Sequence, residues 1–473
     1  MSADLSFSTE EVWMKKTLSF FLLGFSLSRF CYGADLMDVY RQALDNDPTF
    51  KEAYSSFMSN AESVPQAMAA LKPQLSASGS ASRNSIRVQA GGFGGQQNYN
   101  SNSWQVIATQ PIFNYQSWAA VQQAKAAVKS AHATFNSAAQ DLIIRTASAY
   151  LDVLFAKDTL SFAEAKLRAN KRQLDQANQR FEVGLDAITS VYEAKAAYDQ
   201  SVAEVISAKN AQVNQRENLR KLTNHVYESL APLRNSSVPL IKPEPEDVNE
   251  WISTAINQNY ALLSSKYSLQ AARENVKSVN AGNWPVFSLQ GQKSRTFNSG
   301  GQVNVFVPSV QEATSIAVQM NVPLYQGGLV KSQTKQAQYD FQVSSEQLEQ
   351  VYRDTTVNSK IAYNTIIDGI SKVKADRQTV VSQRNSLEST EAQFQVGTRT
   401  MVDVVNAQQR LFLAQNELAR DQYNFIRAIL NLKFLAGTLN VNDLEEINSW
   451  LKTDRINGLP PSKNCQAATT KTK

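Results

Sequence analysis

Residues Arg180–Val191 read RFEVGLDAITSV and residues Gln393–Val404 read QFQVGTRTMVDV, which places Gly184 and Gly397 at the same point of two like segments 213 positions apart. Each glycine interrupts an otherwise long helical pattern, and glycine enters the left-handed conformation that closes a helix at least cost. Both segments are therefore predicted to be hairpin turns. Outward from them, the same signals recur at nearly the same interval. QPIFNYQS and VPLYQGGL put Pro111 and Pro323 212 apart, and LKPQLSAS and NWPVFSLQ put Pro73 and Pro285 212 apart. Helix-entry signals at Ala43–Pro48 and Ala255–Tyr260 repeat in step. An interval kept through several landmarks is the mark of a duplication. The chain reads as two copies of one unit, 34–230 and 248–451, joined by a proline-rich linker at 231–247.

Between Pro111 and Pro232 there is no proline and a single glycine, Gly184, and between Pro323 and Pro460 there is again no proline. Apolar or small residues recur at steps of three and four, as in Val121, Ala124, Val128, Ala131, Phe135, Ala138 and Leu142, and again from Val404 to Leu435. That is the seam of packed helices, thinly apolar because alanine alternates with larger residues. One helix from Trp118 to Arg180 would run about 90–100 Å. Ser190, with Glu193 three residues on, is expected to restart the chain after Gly184 as a capping box. Strands are expected at about 73–88 and 103–113 in the first copy and at about 285–297 and 312–325 in the second. In the last, Ile316, Val318 and Met320 alternate with Ser315, Ala317 and Gln319. The glycine-rich stretches Ala90–Asn100 and Asn298–Ser309 between paired strands read as exposed loops.

The 473 residues carry 47 basic and 42 acidic side chains, a net charge of +5 without a basic block. Phosphate neutralisation needs clustered cations, so nucleic acid is not an expected partner. Lys15 and Lys16 precede the apolar run Leu18–Leu27, and small Gly33 and Ala34 follow, so 1–33 reads as a secretory signal peptide, with Met14 a second candidate start. Cys465 is then the one remaining cysteine. Later segments never approach the length of apolar sequence a spanning helix needs, so entry into a membrane would have to be by strands. Residues 452–473 are polar and proline-containing, and disorder is expected there.

Four strands about 4.8 Å apart make a ribbon too narrow to enclose a solute, with two edges whose bare amides are costly in lipid. Self-association into a closed ring removes both edges, and the attached helices would continue the ring as a second tube. Half-buried soluble hairpins show the same alternation. The competing reading is thus a non-channel periplasmic or surface coiled-coil structural protein.

Three strings carry a more specific likeness: FEVGLDAITSV, LYQGGLVKSQTKQAQYDF, and the run from Val396 to Asn440 that begins VGTRTMVDVVNAQQRLF. With the duplicated layout, they make residues 35–450 resemble the TolC family of outer-membrane efflux proteins. The resemblance implies a mostly α fold with membrane β: a homotrimer with a twelve-stranded β-barrel, four strands per chain, continuous with a long periplasmic α-helical barrel. It also implies a passive outer-membrane duct extending into the periplasm, serving tripartite efflux or type I secretion. Implied partners are a periplasmic adaptor, a proton-driven (RND) or ATP-driven (ABC) inner-membrane transporter, and outer-membrane lipid. The family's gate lies at the helix reversals. By motif, Asp403 matches an aspartate of the pore constriction, while the second acidic position is Asn406 here, so cation preference should be weaker. Asp403 is also a natural N-cap. Arg399 matches an arginine that latches the two hairpins, with Thr189 its partner. At the other latch the family's tyrosine is Phe394 and its aspartate is Ser190, a pair that cannot form that hydrogen bond. Asp186 is the candidate substitute partner for Arg399.

No catalytic constellation is present. His132 and His225 are the only histidines and lie far apart, no His/Cys spacing suits zinc, no Gly-x-Ser-x-Gly elbow occurs, and no lysine-ended phosphate loop follows the glycine-rich stretches. Neither an enzymatic activity nor a cofactor is expected. Aromatic residues near the strands, among them Trp104, Tyr115, Trp118 and Trp284, are candidates for interfacial girdles.

Overall fold

Asp47 and Asn259 each end one helix and start the next. Asp47, in extended conformation, accepts from Phe50 N, and Asn259 does the same for Leu262 N. These kinks set the paired helices α1 (Leu36–Asn46) and α2 (Pro48–Ala61) in the first copy and α6 (Val248–Gln258) and α7 (Tyr260–Asn280) in the second. The computed structural model describes residues 34–90, 93–234, 238–299 and 309–451. The signal-peptide and tail expectations, and most of Asn298–Ser309, lie outside them. In chain order the other elements are α3 (Ser63–Ala69), β1 (Gln74–Ala90), β2 (Phe93–Phe113), α4 (Tyr115–Glu182), α5 (Ile188–Thr223), β3 (Val286–Asn298), β4 (Ser309–Asn321), α8 (Leu329–Gln395), α9 (Met401–Leu435) and α10 (Val441–Ser449).

The four strands form one antiparallel sheet in the order β1-β2-β3-β4, so the central pair joins the two copies. Register sets the alternation of the four strands in phase. Ala77 pairs with Val106, Ala108 with Gly291, and Gly291 with Ile316, while Ser78 pairs with Gln105, Gln105 with Ser294, and Ser294 with Ala313. Directly opposed residues share a face. All four serine- and glutamine-bearing sides therefore fall on one surface, and Leu75, Val106, Leu289, Val318 and Met320 on the other. On that side the row Ala77, Val106, Lys293, Thr314 and the next, Gly79, Trp104, Arg295, Glu312, bound the apolar band, with Arg295 Nε 3.4 Å from Glu312 Oε1. Two expectations are corrected. Ala90–Asn100 is mostly ladder rather than loop, since β2 begins at Phe93 and pairs with β1 along its length. Cross-strand pairing there overrides the weak local preference of glycine. Conversely, β4 ends at Asn321, because Pro323 has no N–H to donate.

At the strand–helix junction Tyr115 stacks between Trp284, at 4.7 Å between ring centroids, and Trp118, at 5.6 Å. From there α4 runs 68 residues and α8 runs 67. Every seventh residue of α4 from Ala119 through Ala126, Ala133, Gln140 and Ala147 to Leu154 is buried. Of the predicted α4 seam, Val121 and Leu142 are buried, while Ala124, Val128, Ala131, Phe135 and Ala138 between them lie beside this column and are half-buried. Small side chains let α7 come close enough for Ser130 Oγ to lie 2.9 Å from both Ser264 Oγ and Ser268 Oγ. The main core sits lower, where Tyr150, Leu151, Leu154, Leu219, Phe425 and Ile426 pack together. Tyr150 donates to Ala231 O at 2.8 Å, and burial pushes its hydroxyl pKa up. The segment read as a linker is part of this core: Ala231, Leu233 and Val238 are buried, and Leu233 bridges Leu451.

Candidate functional site at the helix reversals

The two reversals are built alike. After α4, Gly184 (φ 75°) donates to Phe181 O at 3.0 Å and Leu185 N donates to Arg180 O at 2.8 Å. After α8, Gly397 (φ 80°) donates to Phe394 O at 3.0 Å and Thr398 N to Gln393 O at 3.0 Å. Six- and four-residue closures of this kind satisfy carbonyls that the helix end leaves bare.

The restarts differ. Helix α5 begins at Ile188 with Ala187 as N-cap and no side-chain cap, so the capping box expected at Ser190 and Glu193 is not formed. Ser190 is already inside the first turn, where its own N–H reaches Ala187 O at 3.1 Å. The capping box is in the other copy. Thr400 accepts from Asp403 N, and the Asp403 carboxylate accepts from Thr400 N at 3.0 Å and Thr400 Oγ1 at 2.9 Å. The Thr400 N–H, then its hydroxyl, with Arg399 adding its charge, hold the Asp403 carboxyl below the usual carboxylate range. Asn406 follows one turn on and is exposed, on the side of α9 opposite buried Val404, Ala407 and Gln408. Asp403 and Asn406 thus share an open face of the returning helix.

The latch residues fall in unexpected places. Arg399 is 54% exposed and stays within its own hairpin, its Nε 3.1 Å from Gln393 Oε1 and its Nη1 3.9 Å from Asp403 Oδ1. Thr189 is exposed. Among the described residues no hydrogen bond or ion pair joins Arg399 to Thr189 or Asp186. Asp186 has another partner, Arg180, whose Nε lies 2.8 Å from Asp186 Oδ2. Phe394 is buried in a small core with Ala177, Val191, Ala194, Met401 and Val404, which joins the two hairpins. The Arg180 guanidinium lies over the Phe394 ring, 5.0 Å from its centroid. Above this core a polar cavity of 180 Å³ is lined by Arg172, Gln176 and Glu391, and by Gln173 and Gln408, which hydrogen-bond to each other. Sequence reasoning missed Arg180, Gln173 and Gln408. The only signal for Arg180 was its place six residues before Asp186.

The remaining candidates are local contacts. His132 packs on Phe57 and His225 on Tyr227. Among the described residues no cluster of His, Cys, Asp and Glu could hold a metal ion, and no helix is long and apolar enough to cross a membrane.

The family model described as outer membrane efflux protein matches residues 39–225 and 251–438, one stretch in each copy. The chain is 36% identical over 448 residues to the outer membrane protein TolC of Escherichia coli, covering 93% of this chain and 90% of that one. It is 33% identical over 450 residues to TolC of Vibrio cholerae, covering 93% and 99%. It is 28% identical over 447 residues to the alkaline protease secretion protein AprF of Pseudomonas aeruginosa, covering 93% and 91%. Among solved structures, CusC matches with a TM-score of 0.74 at 16% identity, covering 88% of this chain and 95% of that one. The open state of the Neisseria gonorrhoeae MtrE outer membrane channel matches at 0.70, also at 16% identity, covering 87% and 91%.

Proposed function

Since the chain belongs to the outer membrane efflux protein family, we propose that three copies of it close their sheets into one barrel and their helices into one periplasmic tube. The protein is an outer-membrane exit duct for efflux or type I secretion, in a family of channels rather than enzymes. The observation that carries the proposal is the register of the sheet. It gathers the serine and glutamine sides of all four strands on one face and leaves β1 and β4 as bare edges. Turned inward, the polar face lines water; turned outward, the other meets acyl chains. Pairing β4 of one copy with β1 of the next satisfies both edges at once.

The hairpins at Gly184 and Gly397 form the periplasmic end. We assign Asp403 and Asn406 to the constriction, where one carboxylate per chain faces the axis. A periplasmic adaptor and an RND or ABC transporter of the inner membrane would supply substrate and energy to this passive duct. Protein extracted from outer membranes should cross-link as trimers and give discrete single-channel currents in planar lipid bilayers. A monomer that purifies without detergent and passes no current would refute the duct. Deleting the gene and measuring drug susceptibility beside the secreted proteome would identify the cargo class.

A further inference from the structure

Arg180 is held from three sides. Its carbonyl accepts from Leu185 N at 2.8 Å and from Asp186 N at 3.3 Å, so the turn folds back on it. Its Nε is 2.8 Å from the Asp186 carboxylate, with the two side chains only 23% and 17% exposed. Its guanidinium carbon is 5.0 Å from the centroid of the Phe394 ring, which is itself 6% exposed. Arg180 and Asp186 belong to the first hairpin and Phe394 to the second. A guanidinium can give one edge to a carboxylate and keep its flat face for a ring. The ring's negative face attracts the cation, more strongly where water is partly excluded.

We propose that Arg180, braced by Asp186, locks the two hairpins together by lying on Phe394, and that this contact holds the periplasmic end of the duct closed. The lock rests on the duct reading above. It does what a tyrosine–carboxylate hydrogen bond cannot do where Phe394 and Ser190 stand, and it gives Asp186 a role other than partnering Arg399. A ring face has no directional bond, so the hairpins can slide apart and re-engage without leaving a buried donor unpaired. Arg180 and Asp186 are positioning residues: neither needs to touch what passes through.

The test uses the full-length protein from outer membranes in planar bilayers, with Arg180→Gln, Phe394→Leu and Phe394→Trp. Phe394→Leu keeps apolar volume in the small core but removes the ring. Both Arg180→Gln and Phe394→Leu are expected to raise the open-to-closed ratio about two- to fivefold, the size of one partly exposed cation–ring contact. Phe394→Trp keeps the wild-type ratio, and the double variant Arg180→Gln/Phe394→Leu gates like either single one. Equal yields of trimer show that a gating change is not a folding defect. Should either variant fail to assemble, Asp186→Asn leaves both lock partners in place and is expected to show a smaller rise. Wild-type gating in the variants that assemble, or additive effects in the double variant, would overturn the lock while leaving the duct intact. A wild-type protein that never conducts would overturn both.

Discussion

Asp403 and Thr400 hold each other from both directions, and that reciprocity fixes where α9 begins. The pore role proposed for Asp403 is compatible with the cap, because a carboxylate has more acceptor sites than the two bonds use. The sign of its pH dependence follows from its lowered pKa. The folded state favours the ionised form, so the stabilisation is fully present above the ordinary carboxylate pKa. It is lost as pH falls through the lowered value. Reversal potentials across a KCl gradient separate the two roles. Asp403→Asn should reduce cation preference, and Asn406→Asp should increase it by restoring a second ring of carboxylates. Unchanged selectivity in both variants would remove these residues from the constriction. The motif singled out Asp403, but its expected place as N-cap is corrected: Thr400 caps α9, and Asp403 is the third helical residue, answering from inside the first turn. Arg180 was not legible, because a cation meets a ring across two hairpins and sequence spacing is silent about that distance.

At the scale of elements, the end of α9 is closely docked on the α6–α7 kink. Gly437 has φ 75°, and an added Cβ would collide with the Gln258 carbonyl at the α6–α7 kink. Asn259 Nδ2 donates to Leu435 O at 2.8 Å, and Gln140 Nε2 donates to Gly437 O at 3.0 Å. Gly437→Ala is therefore expected to destabilise the fold by about 1–3 kcal/mol through strain and displaced backbone, visible as a lower melting temperature. Gly184 and Gly397 have similar dihedrals but open space around them, so alanine there costs backbone strain alone, about 1–2 kcal/mol. A second joint is electrostatic. Burial, then the hydrogen bond and charge of Asp421, push the Asp376 carboxyl up to about 6. Lys372 Nζ lies 2.9 Å from Asp421 Oδ2. A raised folded-state pKa contributes stability that is complete below the unfolded value of 3.8. That contribution is lost as pH rises through about 6. Asp376→Asn should accordingly raise the melting temperature at pH 7.5 and change it little at pH 4; an equal shift at both would show that the carboxyl pair is not responsible.

At the scale of the whole molecule, the two faces of the sheet make opposite demands on one strand. Val318 lies on the apolar face of β4 and is 67% exposed in the single chain, while neighbouring Gln319 lies on the polar face. In a closed barrel Val318→Lys should cost about 2–4 kcal/mol near the bilayer midplane and reduce trimer recovered from outer membranes, whereas Gln319→Lys should be tolerated and shift conductance. Reversal of that order would put the lipid on the other face.

The sequence by itself determined the duplication, the stop positions of the long helices, and the strands of each copy. These are local facts: where proline withholds an N–H, where glycine admits a positive φ, and where side chains alternate. Only the tertiary structure decided which strands share a register, that glycine-rich Ala90–Asn100 joins the ladder, that the supposed linker packs into the core, and that Asp186 serves Arg180 rather than Arg399. Each of these depends on groups far apart in the chain meeting in space. Their energies come from burial and pairing across elements, which local preference does not encode.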